Sequence, residues 1–315
     1  MSLTISGSTY AGEFAGKYIA AALLSAPTLE KGGLTIHPNV KFKQVIQRVS
    51  TGNVIANASC DFSDSTTVTL TERVLAPEEF QVNLQLCALT LAANWQAAEM
   101  GYSAYNSIPK SFEDFILAHV AEKVASSMET TIWVGANATA GQFDGISTQI
   151  AADAALPSAQ EVGGTTVNAG NVVAQLGLIV DAIPARLYGA EDLKLYVSQN
   201  IYKAYVRALG GFAAAGVGAN GYDNKGTNQV LSDVFFDGIP VFMANGLAAN
   251  TAIATPTSNL HFATGLFNEM NEARVIDMRP IDGSQNFRVI MRFTADAKYG
   301  FAEDIVTYGI TNSAN

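Results

Sequence analysis

Two runs of alternating residues flank a long polar stretch near the start of the chain, and they constrain the fold more than any other feature. Val40 and Phe42 alternate with Lys41 and Lys43; Val68, Leu70 and Val74 alternate with Thr67, Thr69, Thr71 and Arg73. A period of two is the signature of half-exposed strands. Between the runs, Ser50 to Ser65 is mainly Ser, Asn, Asp and Thr. The pattern predicts a β-arm over 36–86, two strands joined by a polar tip. With about 20 residues a side at roughly 3.3 Å each, such an arm would reach on the order of 65 Å. A lone two-stranded hairpin is marginal in water and cannot bury itself. It needs a partner.

The elements around the arm are mixed. In residues 1–35, Phe14, Tyr18 and Ala21/Ala22 share a helical face until Pro27 and Gly32-Gly33 end the pattern. An amphipathic stretch this short must dock on something. Residues 88–100 predict a short helix. Over 111–134, Phe112, Phe115/Ile116, His119/Val120, Val124, Met128 and Thr131/Ile132 hold a 3.6-residue stripe, with Ser111 and Asp114 at capping-box spacing. On that stripe His119 reads as a core histidine. A small-residue loop, 136–170, precedes a helix over 172–183, a strand at Leu193–Val197, and a second helix capped by Ser198. A Gly- and Ala-rich loop covers 210–228. Strands are expected at Ile239–Ala244, Leu260–Thr264, Ala273–Met278, Phe287–Phe293 and Asp304–Ile310. With no internal repeat and no linker, this is one interwoven α+β unit with projecting arms.

Composition bears on what covers that unit. Of 315 residues only 15% are charged while 49% are apolar, against about 25% charged in an ordinary soluble domain. Much of this surface is expected to lie under other chains. The net charge of −10 repels phosphates, and the basic residues are scattered, so nucleic-acid binding as the main task is disfavoured. Two cysteines, Cys60 and Cys87, do not make a disulfide framework. The first apolar stretch, Tyr18–Leu24, is far shorter than the roughly 20 residues of a membrane span, and no signal peptide is apparent, so a soluble, unsecreted protein is expected.

Catalytic signatures are missing. None of His37, His119 and His261 has a second ligand at metal spacing such as HExxH, and neither GxSxG nor a P-loop occurs. Gly216 to Gly221 matches GxGxxG, but it follows a predicted helix and enters a polar run. A dinucleotide site requires a strand before it and a helix after it. Two glycosylation sequons, at Asn57 and Asn137, are coincidental without a secretory route. The neighbours Glu78/Glu79 and Glu303/Asp304 read as solvated faces or subunit contacts. No cofactor or metal is expected.

Several phrases carry a resemblance: Pro27-Thr28-Leu29-Glu30, the stretch Thr69 to Leu75 with Pro77-Glu78-Glu79-Phe80, and Leu195-Tyr196-Val197-Ser198. Gly238-Ile239-Pro240-Val241, Asn259 to Gly265, and the ending Arg288 to Phe301 add to them. With the element order, they resemble the major capsid proteins of tailed bacteriophages, the Hong Kong 97-type fold. The resemblance implies an N-terminal arm over 1–35, an E-loop β-arm over 36–86 and an A-domain over 166–265. It places the P-domain, with the spine helix and closing strands, in 87–165 and 266–315, the last strand being able to return to the A-domain. It further implies a subunit of pentamers and hexamers in an icosahedral shell around double-stranded DNA, made in the host cytoplasm. A scaffolding protein and a portal would be its partners, with no membrane and no sequence-specific DNA contact. With no charged helical segment ahead of the arm, either a separate scaffolding protein or a mature form of the sequence is expected. The implied inter-subunit contacts are Phe14, Tyr18, Val40, Phe42, Val68, Leu70, Arg73, Phe212 and Tyr222. An encapsulin-type shell enclosing cargo enzymes is the alternative within the same fold; an α/β metabolic enzyme is the alternative outside it.

Overall fold

The computed structural model describes residues 26–40, 42–52, 54, 55, 57, 60, 66–87, 110–209, 234–265 and 272–314. In chain order the elements are α1 (Pro27–Glu30), β1 (Thr35–Pro38), β2 (Gln44–Thr51), β3 (Val68–Leu75), β4 (Glu78–Cys87), α2 (Lys110–Val134) and α3 (Ile146–Ile150). There follow β5 (Glu161–Val162), α4 (Val172–Asp181), β6 (Leu193–Val197), α5 (Gln199–Ala208), β7 (Val234–Phe236), β8 (Ile239–Met243) and β9 (Ala252–Pro256). The chain closes with β10 (Leu260–Thr264), β11 (Glu272–Asp277), α6 (Arg279–Asp282), β12 (Asn286–Tyr299) and β13 (Val306–Tyr308).

β12 organises the first layer. Phe287, Val289, Met291 and Phe293 are buried while Arg288 and Arg292 face solvent, the alternation of a one-face-buried strand. One edge of β12 pairs antiparallel with β4 over ten residues, from Asn286↔Cys87 to Ala295↔Glu78. The other edge takes β11 along 287–292 and β10 along 295–299, and β1 adds to β10 in parallel. The spine helix α2 lays Leu117, Val120, Val124, Met128 and Ile132 against this layer, closing a core with Phe262, Phe287, Val289 and Met291. At about 1.5 Å per residue its 25 residues make a rod of roughly 37 Å. His119 is exposed rather than part of that core. At 100° per residue it sits one step round the helix from Val120, and the stripe passes it by.

The second layer is a six-stranded sheet in the order β5-β13-β9-β6-β8-β7. Helices α4 and α5 supply Val172, Leu176, Ile179, Ile201 and Tyr205 to its own core with Leu195, Val197, Val241 and Tyr308. Ser198 stands at the N-cap of α5 as expected, but its hydroxyl donates to Asn200 Oδ1 at 2.7 Å instead of accepting from the helix amides.

β13 returns to the second sheet, as the sequence reading allowed for the last strand; β10 pairs into the first sheet, β5 into the second, and the paired part of the arm is shorter than expected. Only β2 and β3 form the projecting hairpin, eight residue pairs from Gln44↔Leu75 to Thr51↔Val68, or roughly 26 Å. β4 alternates like an arm strand over most of its length, yet both it and β1 are spent on the body sheet. The helices predicted over 14–22 and 88–100, and the 210–228 loop, lie outside the described residues.

The entry segment is locked to the spine. Glu129 is buried on α2 and accepts from the Thr28 amide at 3.0 Å and from the Thr28 hydroxyl at 2.5 Å. Trp133 Nε1 donates to the Thr28 hydroxyl at 2.9 Å. Gly246 closes over them, since a Cβ there would lie 2.0 Å from the Glu129 carbonyl oxygen. Tyr196, from β6, donates to the Gly33 carbonyl at 2.7 Å, so residues 28–33 tie to both layers.

Candidate assembly surface

The hairpin has two chemically distinct faces because cross-strand partners point the same way. On the inner face lie Gln44, Ile46 and Arg48 of β2 with Leu75, Arg73 and Thr71 of β3. At the root, Leu75 is fully buried with Val40 and Ala263, and Ile46 packs on them. Further out, Arg48 Nη1 meets Asp304 Oδ2 at 2.6 Å, and its guanidinium stands 5.0 Å from the Phe301 ring centre. Arg73 pairs with Asp153 and lies 4.8 Å from the Tyr299 ring centre.

Both acids have further partners. Tyr299 donates its hydroxyl to Asp153, and the Ala155 amide donates to the same carboxylate at 2.9 Å. Burial pushes the Asp153 carboxyl up, but the hydrogen bonds from Tyr299, Ala155 and Arg73 outweigh it and hold the group below its ordinary 3.8. Burial raises the Tyr299 hydroxyl, and the bond to Asp153 adds to it. Asp304 also takes Arg186 Nη2 at 2.8 Å, from the segment after α4.

At the hairpin's exit, the Ala76 amide donates to Asp296 Oδ2 at 2.8 Å and Lys298 donates to the Val74 carbonyl at 2.8 Å.

On the outer face, Gln47 Nε2 donates to Glu72 Oε2 at 3.5 Å. Val45↔Val74 and Val49↔Leu70 form apolar cross-strand pairs, with Thr51↔Val68 beyond them and Gln47↔Glu72 between them. Val45 is 47% exposed, Val49 62%, Val68 64% and Leu70 58%. Before the hairpin, Phe42 is 85% exposed, and Val54 and Ile55 stand out toward the tip. Apolar side chains this exposed, on both sides of the polar Gln47↔Glu72 pair, mark a surface suited to contact with another chain.

The residues singled out in the sequence therefore separate. Phe42, Val68 and Leu70 are on accessible surface. Val40 is buried in the subunit, and Arg73 is engaged with Asp153 and Tyr299 of its own chain. Phe14, Tyr18, Phe212 and Tyr222 fall outside the described residues, as does the Gly216–Gly221 motif. Val45 and Val49 were missed because Val45-Ile46-Gln47-Arg48-Val49 does not alternate in polarity as the run opposite does. Glu78 accepts from the Asn137 side chain at 3.0 Å, and Asp304 is held by two arginines, so neither carboxylate pair has acid–base geometry. Cys60 and Cys87 are exposed and form no disulfide within the chain. Among the described residues no group of His, Cys, Asp and Glu is placed to hold a metal, and no helix is long and apolar enough to cross a membrane.

No protein-family model matches the chain, and no curated protein matches it in sequence. Solved structures do match, over nearly its whole length. The capsid of an empty GTA particle superposes with a TM-score of 0.58 at 14% identity, covering 91% of this chain and 90% of that one. The capsid of cyanophage A-1(L) gives 0.57 at 13% identity, over 92% and 94%. A subunit from the satellite phage P4 procapsid, solved with its size-determination protein, gives 0.55 at 11% identity, over 94% and 99%. The chain has the Hong Kong 97-type capsid fold. The likeness runs through both layers and not one motif, as the two-sided coverage requires. At these identities, it is the fold that is shared.

Proposed function

We propose that the chain is the major capsid protein of a tailed bacteriophage. It would be a structural, non-catalytic subunit that assembles into pentamers and hexamers of an icosahedral shell around double-stranded DNA. The observation that carries the reading is the β2–β3 hairpin, whose inner face is engaged by its own subunit while its outer face, among the described residues, exposes Val45, Val49, Val68 and Leu70. In this reading 1–35 is the N-terminal arm and β2–β3, with its tip, is the working part of the E-loop. The sheet around β12 with α2 is the P-domain, and the six-stranded sheet with α4 and α5 is the A-domain. A neighbouring copy covers Val45, Val49, Val68 and Leu70, with Phe42 at the hairpin's base; Phe14, Tyr18, Phe212 and Tyr222 supply further contacts. Fully burying a Val or Leu side chain is worth about 1.5–3 kcal/mol. The four half-exposed side chains together would supply several kcal/mol per arm, repeated at every subunit of a shell.

A scaffolding protein and a portal are the expected assembly partners, and the host cytoplasm is the site of assembly. A subunit of net charge −10 that does not grip phosphates leaves packaged DNA free to enter and leave.

Negative-stain microscopy of the purified protein and of a Val68→Asp, Leu70→Asp variant tests this. Shells are expected from the first, and folded but unassembled subunits from the second. Normal shells from the variant, or uniform small monomers from the parent chain under all conditions, would overturn the reading.

A further inference from the structure

We propose that Arg48 and Arg73 form a two-point latch that sets the angle of the hairpin on its own subunit, and that opening this latch frees the arm to take the angle a neighbouring copy demands. The proposal rests on the assembly reading and names the control of that same arm.

Past the root cluster of Val40, Leu75, Ala263 and Ile46, the inner-face positions are Arg48, Ser50, Thr69, Thr71 and Arg73. None is an apolar anchor, and among the described residues the two guanidinium groups carry the ion pairs that tie this part of the hairpin to the body. They are diagonal neighbours on the paired strands, since Arg73 stands opposite Ile46 and Arg48 opposite Thr71. Each lies over an aromatic ring and reaches one carboxylate.

What makes this a latch is the state left behind when it opens. Stranding a buried charge is costly, and here no charge is stranded. Asp153 retains the Tyr299 hydroxyl and the Ala155 amide; Asp304 retains Arg186. Both arginine side chains are already 32% exposed and their acids 14%, so release completes a hydration that has begun. Partly exposed pairs of this kind are weak and screened by salt. The arm thus has two accessible poses separated by a small free energy, which a neighbour's contacts can tip. Asp304 adds a second consequence. Arg186, which follows α4 of the six-stranded layer, shares that carboxylate with the arm, so a shift of that layer is felt at the hairpin.

Hydrogen exchange on the full-length, unassembled subunit reads the latch directly. A released hairpin is a lone two-stranded one and frays. In an Arg48→Gln, Arg73→Gln variant, exchange of amides in 44–51 and 68–75 should rise by about fivefold or more, with the spine helix unchanged. Raising salt from roughly 0.05 to 1 M should do the same to the unsubstituted chain, an arm of the test that needs no variant to fold. An Arg48→Lys, Arg73→Lys variant keeps the charges but loses the planar stacking, and should fall between. Hairpin exchange that stays the same in both the Gln variant and high salt would overturn the latch. Because the subunits are unassembled, that result would leave the capsid reading standing, and a failure to form shells would leave the latch standing.

Discussion

Thr28 shows how much one residue can do when its partners are buried. Its amide and hydroxyl both donate to Glu129, and its hydroxyl oxygen also accepts from Trp133. A carboxylate in the middle of a spine helix is tolerable only with such partners. Thr28→Val keeps the shape and removes the hydroxyl, leaving the indole N–H and one carboxylate oxygen unpartnered. A loss of about 1–3 kcal/mol is expected, read as a lower urea midpoint with an unchanged m-value in the unassembled subunit. A midpoint within error of the parent would mean water takes the hydroxyl's place. In the sequence, Pro27-Thr28-Leu29-Glu30 was recognisable as a phrase, but its acceptor lies 101 residues away. Nothing local marks Glu129, since on the helix it reads as one more polar position beside the stripe.

The elements were legible in proportion to how local their determinants are. The spine helix, β6 and β10 stand where the sequence reading placed them, because a helical stripe and short apolar runs are each written along one segment. β12 was read only as 287–293, since Thr294-Ala295-Asp296-Ala297-Lys298 lacks bulky alternation. It extends to Tyr299 because β10 pairs along 295–299, beyond the end of β4 at Ala295. β4 was assigned to the arm for a related reason: a half-exposed strand looks the same whether its neighbour is a hairpin mate or a distant body strand. Once β4 is in the body, the true arm becomes separable. Replacing 46–73 by Asn-Gly joins Val45 to its cross-strand partner Val74 through a turn that suits a two-residue hairpin. The variant gives up the partial burial of Ile46 and two partly exposed ion pairs, in total about 2 kcal/mol. For a chain this size that is a Tm fall of roughly 3 °C. Circular dichroism should show a folded body, and sedimentation should show no shells. An unfolded product would make the arm integral to the fold, and shells without it would deny it a role in assembly.

At the scale of the whole molecule, the two layers interleave: β10 comes from between β9 and β13 of the second sheet but joins the first. Such pairing is set by long-range contacts, which is why the α+β class was legible and the sheet membership of single strands was not. Where β1 meets β10 at the root of the arm, His37 Nε2 and His261 Nδ1 lie 3.0 Å apart, and this gives the fold a pH dependence. One ring nitrogen must donate and the other accept, so the neutral pair is satisfied, while double protonation would set two cations in contact. Burial, then the charge of His37, pushes His261 down to about 4, and burial lowers His37 as well, from an ordinary 6.5. Below pH 6.5 the unfolded chain binds protons that the folded chain refuses, so stability falls as pH drops from 6.5 toward 4 and is fully retained above that window. Two carboxyls act in opposite senses. Asp296, raised chiefly by burial, favours the folded state only while protonated and loses that contribution as pH rises. Asp153, held low, stabilises at higher pH and loses its contribution as pH falls below the ordinary 3.8. Urea midpoints of the unassembled subunit should carry the histidines' fall between pH 6.5 and 4, and His37→Gln, His261→Gln should flatten the profile there while leaving its slope below pH 4 unchanged. An equally steep decline in the double variant would place the pH sensitivity elsewhere than at the root of the arm.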